Sequence, residues 1–260
     1  MGNSSANTQT FEVQESRLNS SNVTLSNVLI RASHSLTLLE KRCIASAIAL
    51  VDSRKGNAIH AHLSEFQKIK ITALDYSDTF GVHPKNAYSD LKKAADHLYE
   101  RQLSIITKGR EGAEKITRFR WVSSVSYVDQ EGYIELSFSP EIYPHLNILK
   151  KDFTSYKLKN AASFRSIYSW RLFEIARSWL GYCQKKNSPV EITLDNLKSQ
   201  LSTPDKYTWN DLKKRALNPA ITEISERDNI KIDYKLIKRG RRVHALEFHF
   251  LEGKNFDNND

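Results

Sequence analysis

A chain of 260 residues carries one or two domains, and with 40% hydrophobic and 10% aromatic residues it has ample material for packed cores. Its formal charge of +9 keeps ribosomal, membrane-surface and nucleic-acid proteins in view as classes. Cys43 and Cys183 are too far apart for a disulfide framework or a cysteine-held zinc site, and no apolar run or N-terminal leader points to a membrane or to export, so a soluble cytoplasmic protein with no metal or other cofactor is expected.

Residues 1–25 are dominated by Ser, Asn, Thr and Gln with few apolar anchors, which predicts a disordered tail. Leu38, Leu39, Ile44, Ile48 and Val51 recur near helical spacing and predict a core helix over residues 36–51, followed by a short alternating strand at 59–63. Thr72 offers an N-cap to a helix ending at Gly81, and Pro84 opens a second helix with Ala87, Leu91, Ala94, Ala95 and Leu98 on one face. Beyond Leu103 the period falls to two, so residues 103–107, 115–128 and 133–138 read as a three-stranded wing or sheet, with turns at 109–112 and 129–132. A short helix is expected over 140–149 and a strand over 153–158. Ser163 or Ser166 then caps an amphipathic helix reaching Tyr182. After the Asn187-Ser188-Pro189 break come a helix over 194–201, a turn through Pro204, and a long helix from about Lys206. Pro219 should kink that helix near Asn218, and strands at 230–237 and 243–251 follow it.

The segment from Ile71-Thr72 to Lys92-Lys93 returns 121 residues later as Ile192-Thr193 to Lys213-Lys214. Asp90-Leu91 matches Asp211-Leu212, and Phe80 and Tyr88 fall in step with Leu201 and Trp209. Each copy reads as short helix, turn, longer basic helix and strand hairpin, which is a helix-turn-helix with a wing. The expected fold is therefore α+β, with two tandem winged-helix domains related by an internal repeat. The first spans residues 26–150 and serves dimerisation and auxiliary DNA contacts; the second spans 151–255 and is the main DNA reader; residues 256–260 form a short tail.

Charge placement supports duplex DNA as the partner. Between residues 206 and 242 eleven bases face five acids, a net of +6 out of the chain's +9. In the second copy Trp209, Leu212, Ala216, Ala220 and Ile224 form the inward stripe. The outward set is Thr208, Asn210, Asp211, Lys214 and Arg215, with Lys213 on the flank. Arg215 or Lys214 suits guanine O6 and N7, and Asn210 suits adenine N6 and N7. Lys238, Arg239, Arg241 and Arg242 crowd the tip of the wing around Gly240, a phosphate-binding composition. The matching face of the first copy, Lys85, Asn86, Ser89, Asp90 and Lys93, is less basic.

A catalytic alternative rests on Ile59-His60-Ala61-His62-Leu63, which resembles the His-hydrophobe-His strand of rolling-circle nickases, with Tyr88 and Lys92 as attacking tyrosine and lysine. Against it, Tyr88 aligns with Trp209 as a packing residue and no carboxylate cluster completes a metal site. A phosphate-binding Gly-x-x-x-x-Gly-Lys-Ser/Thr run is missing as well, so the protein reads as a non-enzymatic DNA binder.

Three blocks carry a resemblance: Tyr168-Ser169-Trp170-Arg171-Leu172-Phe173-Glu174-Ile175, then Leu217-Asn218-Pro219-Ala220-Ile221-Thr222-Glu223-Ile224, then Gly240-Arg241-Arg242-Val243. In this order and spacing the chain resembles the iteron-binding plasmid replication initiators over roughly residues 27–250. The resemblance implies a monomer on direct repeats of double-stranded plasmid origin DNA and a dimer able to repress its own gene. It further implies recruitment of the host replication initiator and replicative helicase. Arg171 matches the family's arginine in its helix, where a phosphate contact and a domain brace are both open. A winged-helix transcriptional repressor would present identical DNA chemistry, and only the resemblance separates the two.

Overall fold

The computed structural model describes residues 17–53, 68–109, 112–127, 131–146 and 151–253. The proposed histidine strand, with His60 and His62, lies outside the described residues. The first elements are α1 (Arg17–Ser20), β1 (Asn22–Ser26), α2 (Asn27–Ile30), β2 (Ser33–His34) and α3 (Leu38–Ser53). The disordered tail expected through residue 25 is corrected here: Leu18, Val23 and Leu25 are buried, and β1 is a strand. Its partner is a strand far along the chain, Phe153–Lys157, so local composition carried no sign of the pairing.

The first winged helix runs from α3 through β3 (Ile69–Thr72), α4 (Ala73–Phe80) and α5 (Pro84–Leu98). Thr72 caps α4 by accepting from the Asp75 amide, and Gly81 ends it in the left-handed region at φ 61°. Along α5 the five apolar residues Ala87, Leu91, Ala94, Ala95 and Leu98 are all buried, as their spacing predicts. The following strands are β4 (Gln102–Lys108), β5 (Glu114–Arg120), β6 (Val122–Tyr127) and β7 (Tyr133–Phe138). The single strand expected over 115–128 is two strands, broken at buried Trp121, and the expected three-stranded unit is divided between two sheets. One has the order β3-β7-β6 and is the sheet of the winged helix; the other, β2-β4-β5, is an added hairpin resting on β2. Two-residue alternation reports that a strand has an inner face but not which sheet owns it.

A single 3-10 segment at Pro140–His145 leads on to β8 (Phe153–Lys157), which pairs antiparallel with β1 from Ser26 opposite Phe153 to Asn22 opposite Lys157. Then come α6 (Leu158–Ala162) and α7 (Ile167–Lys186), the latter capped by Ser166. The second winged helix adds β9 (Val190–Thr193), α8 (Leu194–Leu201), α9 (Trp209–Leu212), a π-helical turn at Lys213–Leu217, α10 (Asn218–Arg227), β10 (Ile230–Arg239) and β11 (Arg242–Glu252). Its sheet order, β10-β11-β9, has the connectivity of β6-β7-β3, so the repeat holds in topology. It also holds in detail: Thr193 caps α8 as Thr72 caps α4, and Ser202 ends α8 in the left-handed conformation that Gly81 adopts.

The two units meet through α7. Lys41 of α3 donates both to Glu174 Oε1 and to Oε2 at 2.8 Å, with both side chains only 2% exposed. Tyr156 of β8 donates to the same carboxylate at 2.6 Å and accepts from Trp170 Nε1 at 3.0 Å. Burial pulls the Lys41 ammonium down from its ordinary value while the Glu174 charge raises it, and burial pushes the Tyr156 phenol well up. On the outer side of the junction Arg31 donates to Ser178 Oγ at 3.1 Å and to its carbonyl at 2.7 Å, with its guanidinium 3.5 Å above the Trp179 ring.

His34, at the contact between β2 and the end of α8, is buried edge-on to Trp121. Burial first, then the charges of Arg171 and Lys41, hold its imidazole neutral well below the ordinary 6.5. In acid only the unfolded chain takes up this proton, so stability rises with pH up to about 6.5 and is level above it. Below that point the group's contribution falls by about 1.4 kcal/mol per pH unit. Urea unfolding at pH 7.5, 6.0 and 5.0 should give a shallower pH dependence in His34→Gln than in the native chain; equal slopes would remove His34 as the cause.

Candidate nucleic-acid interface

The second helix of the second helix-turn-helix, the candidate reader, is built by its cap. Thr208 Oγ1 donates to Asp211 Oδ2 at 2.7 Å and accepts from the Asp211 amide at 3.2 Å, and the Thr208 amide donates to the same carboxylate at 3.1 Å. This reciprocal box fixes the helix start at Trp209, three residues later than the expected Lys206, and uses the Thr208 hydroxyl for capping. The Thr208 hydrogen bonds, ahead of the Arg215 charge, hold the Asp211 carboxyl below its usual range. Asn210, Lys213, Lys214 and Arg215 are exposed, whereas Leu212, Ala216, Ala220 and Ile224 are buried and Trp209 packs partly buried against the core. Arg215 lies 3.4 Å from Asp211 and 5.7 Å from the Tyr207 ring centre, yet its side chain is 62% exposed. A surface ion pair of this kind is weak enough to yield to a phosphate or a base edge.

Where the sequence predicts a kink near Asn218, the helix carries a π turn. The five residues before Asn218 form this turn, closed by the Asn218 amide on the Lys213 carbonyl, and Pro219 stands in the first turn of α10. Proline lacks the amide a continuing α-ladder would need, and the first turn of a new helical segment is where that loss is tolerated. The π turn also buries Leu217, which an uninterrupted α-helix would leave at the edge of the stripe.

Beside this helix stand β10 and β11, joined through Gly240 at φ 61°. Lys238, Arg239, Arg241 and Arg242 are all exposed at the tip, and exposed Lys235 extends the basic strip down β10. A register shift after Ile237 leaves His244 unpaired on β11 and adds twist near the tip.

The first copy differs. Lys85, Asn86, Ser89 and Lys93 are exposed on α5 as expected, and Asp90 is half-buried. His83 caps α5, its Nδ1 accepting from the Lys85 amide at 3.3 Å; its place directly before Pro84 is the sequence sign of that cap. Tyr88 is half-buried on α5, and the Lys92 ammonium lies 4.7 Å from the Tyr127 ring centre. In the described part of this unit's wing the charges include Glu131 and Glu135, with Lys68 3.8 Å from the latter, so the strip beside α5 lacks the positive sign of the second wing.

Arg171 is a correction. Its side chain is 1% exposed, donating through Nη2 to the Ala32 carbonyl at 2.7 Å and through Nε to the Gln200 carbonyl. It braces the second unit's α8 against the first unit and is out of reach of a phosphate. With Glu174 one turn on, the block that carries the resemblance faces inward because it holds the two units together. Among the described residues no cluster of three or more His, Cys, Asp or Glu side chains is placed to hold a metal ion, and no helix is long and apolar enough to cross a membrane.

Two helix-turn-helix units in one chain, each with its own three-stranded sheet, define a tandem winged-helix protein. Residues 22–177 match the family model described as "Initiator Replication protein, WH1" and residues 193–250 match "Initiator Rep protein, WH2". The chain belongs to this family of replication initiators. It is similar to an Escherichia coli "Replication initiation protein", 28% identical over 85% of this chain and 67% of that one. It is also similar to an Escherichia coli "PI protein", 28% identical over 83% of this chain and 78% of that one. A crystal structure of Pi initiator protein in complex with iteron DNA shares the fold, with a TM-score of 0.67, 22% identity, and coverage of 91% of this chain and 99% of that one.

Proposed function

We propose that this initiator acts by binding direct repeats, iterons, in double-stranded plasmid origin DNA, one monomer to each repeat, with the second winged helix as main reader and the first in an auxiliary role. The observation that carries the reading is the pair of tandem units, of which the second combines an exposed Lys213-Lys214-Arg215 run with a four-cation wing tip. A helix set in the major groove and a wing laid along the backbone divide the work between base edges and phosphates. Lys85, Asn86, Ser89 and Lys93 make the weaker contacts of the first unit, and Asn210, Lys213, Lys214 and Arg215 those that specify sequence. A dimer represses the protein's own gene, and the host initiator and replicative helicase are the partners that open and copy the origin in the cytoplasm. The chain itself needs no cleavage chemistry for this, and no cofactor.

The geometry gives the test. Two reading helices on one chain reach successive major grooves on one face of the duplex when their centres lie about 10–10.5 base pairs apart, so one monomer should protect about two helical turns. A dimer relates its reading surfaces by a two-fold axis and should prefer an inverted repeat. Sedimentation and footprinting on a single direct repeat and on an inverted repeat are expected to show one monomer over two turns on the first and a dimer on the second. Occupation of the direct repeat by dimers alone, or protection of a single turn, would sink the reading.

A further inference from the structure

The π turn in the second reading helix has a cause, a latch and a cargo on three neighbouring segments. Pro219 is the cause, since it interrupts the α-ladder immediately after the turn. The latch is Tyr234 on β10. Its hydroxyl donates to Asn218 Oδ1 at 3.1 Å just after the turn, and its ring meets Trp209, before the turn, edge-on at 6.3 Å and 85°. Tyr234 is itself backed by Phe248 at 5.8 Å, so the turn is tied at both ends to the wing sheet. The cargo is Lys213, Lys214 and Arg215, three consecutive exposed cations inside the turn, flanked by Leu212 and Ala216 at 0% and 1% exposure. Closing each turn from residue i to i+5 puts more residues in it than an α-turn holds, so successive side chains fan over a narrower arc.

We infer that the Pro219-enforced, Tyr234-latched π turn is a specificity-determining device of this DNA reader: it draws Lys213, Lys214 and Arg215 into a narrower arc toward the groove than a regular α-helix would give them. This rests on the proposed DNA reading. Asn218 and Tyr234 are positioning residues that act through the three cations. The inward stripe Leu212, Ala216, Ala220 and Ile224 is equally in phase for an uninterrupted α-helix, so removing the proline leaves a foldable alternative.

The experiment compares the native chain, Pro219→Ala and Tyr234→Phe on two duplexes at fixed salt: the best sequence the native protein recovers from a randomised duplex library, and a scrambled duplex of equal length. Pro219→Ala is expected to lose about tenfold on the selected duplex while binding the scrambled one within about twofold, with a thermal midpoint equal to or above the native one. Tyr234→Phe, which removes a single hydroxyl, should shift the ratio the same way by about threefold with its midpoint unchanged. A selected-to-scrambled ratio equal to the native ratio in both variants overturns the inference. Should Pro219→Ala fail to fold, Tyr234→Phe decides alone. If the native protein itself recovers no preferred sequence, it is the DNA reading that fails.

Discussion

Glu174→Ala is expected to destabilise the protein by about 3–5 kcal/mol, the cost of stranding a buried charge. The substitution leaves Lys41, 2% exposed, without its carboxylate, and takes the acceptor from the Tyr156 hydroxyl as well. For a chain of this size that corresponds to a fall in thermal midpoint of about 10 °C. The coupled change Lys41→Met with Glu174→Gln removes both charges and keeps an acceptor for Tyr156, so it should recover most of the loss. Urea unfolding followed by tryptophan fluorescence measures both. A Glu174→Ala protein within about 1 kcal/mol of the native chain would show that the pair contributes little to holding the two winged helices together.

The second large effect is on DNA. Lys214→Ala and Arg215→Ala should each cost about 1–3 kcal/mol on a specific duplex if the replaced side chain reads a base edge, and should relax sequence preference at the position it contacts. Arg239→Ala with Arg241→Ala should behave differently, because these exposed wing-tip residues meet phosphate in the proposed mode. Their loss should weaken all duplexes alike and flatten the dependence of log affinity on log salt by about 0.9 for each phosphate contact removed. Titrations by fluorescence anisotropy at several salt concentrations separate the two kinds of residue. If both pairs of substitutions leave affinity, preference and salt slope unaltered in folded protein, the second winged helix is not the main reader.

The two candidate surfaces are unequal for a reason visible in their elements. In the second unit the cations sit on both the helix and the wing, so field and shape act together; in the first, the described residues of β6 and β7 with the turn residue Glu131 carry Glu131 and Glu135 and no lysine or arginine. The same fold, repeated, thus supplies one strongly basic surface and one nearly balanced one.

Short-range physics was enough for much of this. The cap at Thr72, the helix stop at Gly81, the proline start of α5 and the buried stripes of α5 and of the helical run through residues 209–224 depend on contacts within a few residues, so spacing and residue type determined them. The 121-residue offset likewise placed the two units, and the basic tip around Gly240 was read directly from composition. What the chain does at a distance was decided by tertiary structure. The strand at Asn22–Ser26 exists because β8 returns to pair with it, the run from 115 to 128 divides because its two halves belong to different sheets, and Arg171 turns inward because two backbone carbonyls from separate units converge on it. Pro219 made a disturbance in the helix predictable, but that it took the form of a π turn depended on the core that receives Leu217 and on the Tyr234 hydroxyl that meets Asn218. Local sequence fixes which conformations are cheap, and packing against distant segments selects among them.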